Sequence, residues 1–345
     1  MAFDTRELSE VRSSPRSSVG ALIKFPGGSI IGSFLSIAIL CTLATLSAKA
    51  NDSTVELATG GLAFVKNNNI EMLSENLFIS ADEIRVRYRF LNKSKKNITV
   101  HVAFPLPDLK AEGEDAFVLP TDDPVNFVGF ATKVDGRPIH TNVEQKIYIE
   151  GRDQTEALKR LGIPLSPFRS EAVLDKLSTA KTAQLRRLGL INSNRSPLWT
   201  LKTTFYWQQQ FASGHETIIE HHYKPSVGDT VQLPSAGLGQ YLKDRGDDRK
   251  YCVDADFLAA LGKANGDFSQ QRIEYVLKTG ANWSGPIKEF HLVVDKGAPG
   301  NLVTFCGQGV KQIGPTQFEM RKSGFIPQEN LAVLILERVH QPQTQ

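Results

Sequence analysis

The stretch Ile84-Arg85-Val86-Arg87-Tyr88-Arg89-Phe90 decides the fold class. Apolar residues and arginines alternate with a period of two. An extended chain therefore puts Ile84, Val86, Tyr88 and Phe90 on one side and the three arginines on the other. Such a strand has one face in a core and one in water, as in an antiparallel sheet covered on one side. A polar turn follows at Asn92-Lys93-Ser94-Lys95-Lys96-Asn97. A second alternation then sets Ile98, Val100, Val102 and Phe104 against Thr99, His101 and Ala103. Pro105 and Pro107 end it, because proline has no amide hydrogen to give to a neighbouring strand.

Downstream, Asp135-Gly136 separates Phe130–Val134 from Ile139–Val143. A two-residue turn with positive φ suits that pair, so the segment predicts a hairpin whose second arm runs on through Ile149. The period changes after residue 151. Residues 153–162 predict a helix with Asp153 as cap, Glu156 in its first turn and Gly162 at its end. Ser166-Pro167 opens a second helical stretch that runs, with a break near Ser178, to Gly189. Residues 151–195 thus read as a helical insertion with a solvated basic face. Trp199, Leu201, Thr203, Phe205, Trp207, Gln209 and Phe211 then share one face of a long strand. Ser213-Gly214-His215 turns it, and Thr217 to Lys224 reads as its returning partner.

Residues 235–250, rich in Gly, Asp, Lys and Arg, read as a loop. Asp254 caps a short helix ending near Gly262. Strands resume at 273–277, 289–294, 302–305, 317–320 and 331–336. The expected fold is mainly β: an antiparallel β-sandwich, one large or two packed, with a helical insertion at about 151–195. Residues 51–234 are expected to form the sandwich with its insertion. Residues 235–345 are expected to form a β-rich region packed on it or completing it.

The N-terminal 50 residues differ from the rest. Arg6, Arg12, Arg16 and Lys24 precede an apolar run from Ile30 to Ala44, and Ala48-Lys49-Ala50 follows with small residues where a signal peptidase reads. Gly, Ser and Thr interrupt the run, which favours a cleaved leader over a retained anchor. Residues 1–50 are expected to be a signal peptide, cut after Ala50, sending the chain to the periplasm or outside the cell. The formal net charge of +3 comes mostly from this leader. Residues 51–345 carry 35 basic and 34 acidic side chains, a balance that argues against a nucleic-acid partner. Cys41 leaves with the leader, and the remaining two cysteines, Cys252 and Cys306, predict one disulfide in an oxidising compartment.

The chemistry-bearing residues do not converge in the sequence. His221 and His222 are adjacent on a strand, so they face opposite sides, and Glu220 shares the side of His222. A metal site there needs ligands from other strands. Gly-x-Ser-x-Gly is absent, and Gly237-Leu238-Gly239 lacks the surroundings of a dinucleotide loop. Asp247-Asp248 and the Asp254/Asp256 pair lack the register of a calcium loop and read as solvated acids and a helix cap. Trp199, Phe205 and Trp207 read as core, whereas Tyr206 points the other way and is a candidate contact for a ligand. Tyr206, His221 and His222 are therefore the candidate binding residues. No catalytic residue, metal ligand or cofactor is assigned.

Several segments carry a family resemblance: Leu57-Ala58-Thr59-Gly60-Gly61-Leu62, Ala103-Phe104-Pro105-Leu106-Pro107-Asp108, Tyr206-Trp207-Gln208-Gln209-Gln210-Phe211, His221-His222-Tyr223-Lys224-Pro225 and Thr279-Gly280-Ala281-Asn282-Trp283. Together they resemble the family called domain of unknown function 4424, over roughly residues 51 to 338. The resemblance implies an exported protein of a Gram-negative bacterium, and it implies no activity. A second, piecewise likeness is to the vault/inter-alpha-trypsin domain. It rests on Arg87-Tyr88-Arg89-Phe90-Leu91-Asn92, Ala103-Phe104-Pro105-Leu106-Pro107 and Phe211-Ala212-Ser213-Gly214. That likeness implies a β-sandwich, from which the 151–195 insertion departs. The expected function is a non-enzymatic binding or envelope-associated module with an envelope protein or a small ligand as partner. The alternative is a metal-dependent or hydrolytic enzyme using His221 or His222 with Glu220.

Overall fold

Alternation at Ile84–Asn92 becomes burial in the computed structural model, which describes residues 53–58, 61–110, 116–229 and 232–339. The expected leader, with Cys41, and His340 lie outside the described residues. Ile84, Val86, Tyr88 and Phe90 are all buried, while Arg85 and Arg87 are exposed. This strand sits near the middle of an eight-stranded sheet. Its order is Lys311–Gln312, Gln317–Phe325, Ile287–Asp295, Ile70–Ile79, Ile84–Asn92, Glu216–Tyr223, Ala131–Val134 and Arg137–Ile139. A second sheet runs Arg152–Asp153, Asn142–Ile149, Thr200–Phe211, Ile98–Pro105, Ser53–Ala58 and Gly61–Val65, with Leu109–Lys110 also paired to Thr200–Phe211. The apolar faces of the two sheets meet in one core. Val102, Phe104, Phe205, Trp207 and Phe211 from one pack with Val86, Tyr88, Phe90 and Ile219 from the other. The mainly β, sandwich-like fold expected from the alternation is the fold observed.

Two connections differ from their reading. Thr200–Phe211 and Glu216–Tyr223 are not partners. The first pairs with Ile98–Pro105 and Asn142–Ile149, the second with Ile84–Asn92 and Ala131–Val134. Ser213-Gly214 therefore carries the chain from one sheet to the other, as the Lys93–Asn97 turn does for the strands on either side of it. The two crossings are stitched together. Asn92 Nδ2 donates to Phe211 O at 2.9 Å, Gly214 N to Asn92 O at 2.9 Å and Ser213 Oγ to Ser94 O at 2.7 Å. The Asp135-Gly136 hairpin forms as expected, with Asp135 at φ 47° and Gly136 at φ 77°. Its second arm stops at Ile139, and the chain crosses to the other sheet before Asn142.

A third sheet contains Leu302–Phe305, Leu331–Arg338, Asp267–Tyr275, Val227–Asp229 and Ala116–Val118, with Leu233–Pro234 on Asp267–Tyr275. Both of its faces are covered, which is why Leu331-Ala332-Val333-Leu334-Ile335-Leu336 is apolar without alternation. Ile273, Tyr275, Val333 and Ile335 join the main core. Phe268, Leu334 and Leu336 join a second cluster with Leu238, Leu242, Tyr251, Phe257 and Leu261. That cluster needs helices, and residues 235–250 supply them. Ser235–Asp244 and Asp247–Lys250 are helical where the composition read as a loop. Leu238 and Leu242, one turn apart, bury against the sheet, and Gly237 at φ 87° kinks the start. The third helix, Ala255–Lys263, is capped as expected, with Asp254 Oδ1 accepting from Phe257 N at 2.7 Å. The strand expected at 273–277 begins earlier, at Asp267, and ends at Tyr275.

The helical insertion holds Thr155–Leu161, Pro167–Arg169, Glu171–Leu174 and Thr179–Arg187. Asp153 stands two residues before its first helix rather than at the cap. Its Oδ1 accepts from the Thr155 amide at 2.9 Å and the Thr155 hydroxyl at 2.6 Å. Leu158, Leu174, Leu185 and Leu190 anchor the insertion to the main core.

Two features escaped the pattern altogether. Ile70–Ile79 runs parallel to Ile287–Asp295, the one parallel pairing among the described strands. The same strand slips register between Met72 and Ser74 against Ile84–Asn92. An inserted residue of this kind flips every later side chain to the other face. Glu75 thereby points into the core beside Leu77 and Ile79 and is fully buried.

Candidate functional site

The helical cover of the third sheet ends at Lys250 and Tyr251, and a cleft of about 320 Å³ opens there. One wall is apolar and comes from two crossing segments. Leu106 and Leu109 follow the Ile98–Pro105 strand, and Phe127 and Val128 precede Ala131–Val134; all four are buried. Pro107 explains part of this wall, since it keeps the chain extended and out of regular pairing. Tyr223 and Pro225, at the end of the Glu216–Tyr223 strand, close the back.

The opposite wall is polar and belongs to the third sheet and its helices. Arg272 and Glu274 alternate with the core-facing Ile273 and Tyr275, so they face the cleft. Arg272 is buried and its Nη2 donates to Asp247 Oδ2 at 2.9 Å and to Gln270 Oε1 at 2.7 Å. Arg245 Nε adds a second contact to Asp247 Oδ2 at 3.3 Å. Asp247 is therefore an ion-pair partner inside the protein, not the solvated loop acid that its surroundings in the sequence suggested. Lys250 Nζ lies 2.6 Å from Glu274 Oε1. Burial works against the charge on Lys250, but Glu274 and Tyr251 outweigh it and hold the ammonium above its ordinary pKa. On the apolar side, Asp108 Oδ2 is 2.7 Å from Lys202 Nζ.

Two hydroxyls at this cleft stand out. Tyr251 is fully buried, with the Lys250 ammonium beside its ring. Burial pushes its phenol up to about 12, so at neutral pH it keeps its proton and is a donor. Ser226 Oγ is buried without a partner among the described residues. A buried polar group left unpaired costs about 1–3 kcal/mol.

The polar wall is held from behind. Cys252 and Cys306 form the expected disulfide, with their Cα atoms 5.0 Å apart. Thr304 Oγ1 donates to Tyr251 O at 2.9 Å and to Cys252 O at 3.2 Å. Lys250 and Tyr251 are thus tied covalently and by hydrogen bonds to the Leu302–Phe305 strand.

The residues singled out in the sequence lie elsewhere and apart. His221 is 2% exposed, and its Nδ1 is 3.0 Å from Thr132 Oγ1. The rings of Tyr88, Phe104, Phe130 and Trp207 surround it, with centroids 4.8–5.8 Å away. His222 is on the other side of the sheet, with Nε2 3.0 Å from Glu83 Oε2. Glu220 shares that outer face and pairs with Arg87 at 3.3 Å. Tyr206 is half-buried on the outside of its sheet, edge-on to His101 with centroids 6.5 Å apart. Below the cleft-lining Tyr223, the core holds a further polar set. Tyr88 Oη and Tyr275 Oη are 2.8 Å apart, and Tyr275 Oη donates to Glu75 Oε1 at 3.2 Å. Burial raises the Tyr275 phenol well above its ordinary pKa, so it stays a hydroxyl.

The sequence offered no signal for Lys250, Tyr251, Arg272 and Glu274 as one group. They come from separate segments, and only the packing of the helices on the third sheet brings them together.

No curated protein matches the chain in sequence. Among solved structures, a Legionella pneumophila protein described as a "putative nutrient binding protein" aligns with it at a TM-score of 0.44 and 15% identity, over 83% of this chain and 70% of that one. The family model described as "Domain of unknown function (DUF4424)" matches residues 50–334, nearly all of the described fold, and the chain belongs to that family.

Proposed function

We propose that the chain is an exported periplasmic protein and that its sandwich is a non-catalytic binding module, with the cleft between Leu106–Leu109 and Lys250–Tyr251 as the place where a small ligand is held. The observation that carries this reading is the cleft itself, about 320 Å³ between one apolar and one polar wall. Ligand sites combine apolar lining with a few fixed polar groups, and a volume of about 300 Å³ is the lower end of their range. The cross-linked polar wall suits binding without large rearrangement.

The enzyme alternative asks His221 or His222 to work with Glu220. A catalytic group has to touch its substrate, and His221 meets aromatic rings on the sides described above. His222 and Glu220 line a shallow cleft of about 440 Å³ on the outer face of the sheet, and each is already engaged by a charged partner, Glu83 and Arg87. The geometry favours the binding module.

Two measurements test the proposal. Mass spectrometry of the protein from fractionated cells should find it in the periplasm, beginning at Asn51; a chain that keeps residues 1–50 in the inner membrane overturns the localisation. Thermal-shift screening against a metabolite library should give ligands that raise the melting temperature of the wild type and not of Val276→Trp, whose larger ring fills the cleft. Ligands that stabilise both equally place the binding elsewhere.

A further inference from the structure

We infer that the helical insertion is a membrane-facing surface, whose exposed cations at residues 176–187 attach the protein to a bilayer rich in anionic phospholipid.

Charge is unevenly spread along the chain. Residues 151–195 carry nine basic and four acidic side chains, net +5. The remainder of residues 51–345 carries 26 basic and 30 acidic side chains, net −4. The near-neutral total therefore hides a strong separation. All four acids of the insertion, Asp153, Glu156, Glu171 and Asp175, come before Lys176, so residues 176–195 hold five cations and no acid.

Some basic residues of the insertion hold the fold. Arg169 donates to the carbonyls of Thr121 and Asp122, and Arg195 Nη1 donates to Asp175 O at 2.8 Å. Lys159 is paired with Glu156 at 3.1 Å. Lys176, Lys181, Arg186 and Arg187 are different: all four are exposed, and none has an ion pair among the described residues. Arg186 Nη2 donates to Ser193 O at 2.9 Å, a neutral partner that leaves its charge unbalanced. Thr182 and Leu185 are the buried residues of the helix Thr179–Arg187. At 100° per residue, Lys181 and Arg186 flank that buried stripe and Arg187 lies opposite it. Cations crowded in this way repel one another, and an anionic surface brought from outside relieves the repulsion.

The kind of partner follows from what accompanies these cations. Protein interfaces are anchored by aromatic and large apolar side chains. Among the described residues the exposed large apolar side chains are Leu57, Val118, Val125, Leu258, Ile313 and Ile326, and none is in the insertion. Its single aromatic residue, Phe168, is half-buried, so it offers no stacking platform for single-stranded nucleic acid. An anionic bilayer needs neither device, since it attracts each nearby Lys or Arg by charge alone, about five-fold in affinity per residue. The same surface repels the net negative remainder of the chain and so turns the molecule insertion-first. No residue of the insertion lines the cleft between Leu106 and Tyr251, so the two surfaces share no side chain.

The test is co-sedimentation of the protein, purified from its producing cells, with vesicles of phosphatidylglycerol and phosphatidylethanolamine in equal parts. Phosphatidylcholine vesicles are the neutral control. The protein should sediment with the anionic vesicles at about 50 mM salt and be released at about 500 mM, where screening shortens the reach of each charge. Lys176→Gln/Lys181→Gln/Arg187→Gln should bind about a hundred-fold more weakly, as expected for three cations. Lys95→Gln/Lys243→Gln/Lys263→Gln removes the same charge from exposed positions outside the insertion and should stay within a few-fold of wild type. Far-ultraviolet circular dichroism and melting temperature should show both variants folded. No sedimentation with anionic vesicles, or equal sedimentation with neutral ones, overturns the attachment. Equal losses in the two variants overturn its placement on the insertion. Binding of duplex DNA or polyglutamate as tight as that of the anionic vesicles overturns the choice of a lipid surface as partner.

Discussion

The sulfurs of Cys252 and Cys306 are bonded, and this bond fastens the turn that carries Lys250 and Tyr251 to the end of the Leu302–Phe305 strand. Cys252 sits at φ 53°, a left-handed conformation that residues with a side chain rarely adopt. The bond and the two hydrogen bonds from Thr304 hold the backbone there. A single cross-link thus stabilises the third sheet and fixes one wall of the cleft.

Its removal should therefore be felt twice. Cys252 and Cys306 are 54 residues apart, and closing a loop of that size stabilises a fold by on the order of 4 kcal/mol in the chain-entropy model. The double variant Cys252→Ser/Cys306→Ser should lose about 2–4 kcal/mol in urea unfolding. Amide hydrogen exchange should also speed up at residues 247–252 before it does in the main core. Unchanged protection of that turn would show that the bond does not hold the wall.

The Arg272–Asp247 pair offers a sharper contrast. Their side chains are 5% and 10% exposed, so neither charge can turn to water if the other is lost. Asp247→Ala should cost about 3–5 kcal/mol because it removes the carboxylate that balances a buried guanidinium. The double variant Arg272→Met/Asp247→Leu should cost clearly less than either single change summed with the other. Chemical denaturation of the four proteins gives the comparison directly, and additive losses would contradict a coupled pair.

How much of this was open to the sequence depends on the range of the interaction. Ile84–Phe90 and the Asp135-Gly136 turn declared themselves because alternation and positive φ are local properties. Asp254 announced its helix because a cap is built within four residues. Residues 235–250 misled, since Gly237, Gly239 and the acid-base cluster mask a short amphipathic repeat of only Leu238 and Leu242. Thr217–Lys224 was given the wrong partner because a crossing between sheets and a hairpin look alike in sequence. The inward turn of Glu75 depends on a bulge against Ile84–Asn92, and the Ile70–Ile79 pairing with Ile287–Asp295 spans two hundred residues. The cleft inherits that non-locality: Asp247 and Arg272 read as ordinary surface charges until the helices fold over the third sheet.

Acid should weaken the hold of the insertion on the sandwich. Burial raises the pKa of Asp153, but hydrogen bonds from the Thr155 hydroxyl and amide, with Lys146 nearby, outweigh it and leave the carboxyl below its ordinary value. A depressed carboxyl stabilises the folded state above its unfolded pKa, and that contribution is lost as the pH falls through the folded value. Asp153→Asn should thus be less stable than wild type at pH 7, with the gap closing as the pH falls below the ordinary carboxylate range. Melting temperatures across that range test it; a gap that is constant with pH would assign the effect to shape instead of charge. The exposure of Asp153 keeps the expected difference small.

His221 and His222 provide the last prediction, because they are neighbours in sequence with opposite surroundings. His221 fills a space among aromatic rings and shares a hydrogen bond with Thr132, so His221→Ala removes packing and leaves the threonine hydroxyl unpaired. Such a change should cost about 1–3 kcal/mol. His222 lies on the open face with Glu83, where ion pairs contribute little, and His222→Ala should shift stability by no more than about 0.5 kcal/mol. Neither residue borders the cleft between Leu106 and Tyr251, so ligand affinity in folded His221→Ala and His222→Ala should stay within a few-fold of wild type. A variant at either position that keeps its stability and loses activity or binding outright would move function to this strand and revive the catalytic alternative. A loss of binding that tracks the loss of stability in His221→Ala alone would instead reflect its place in the core.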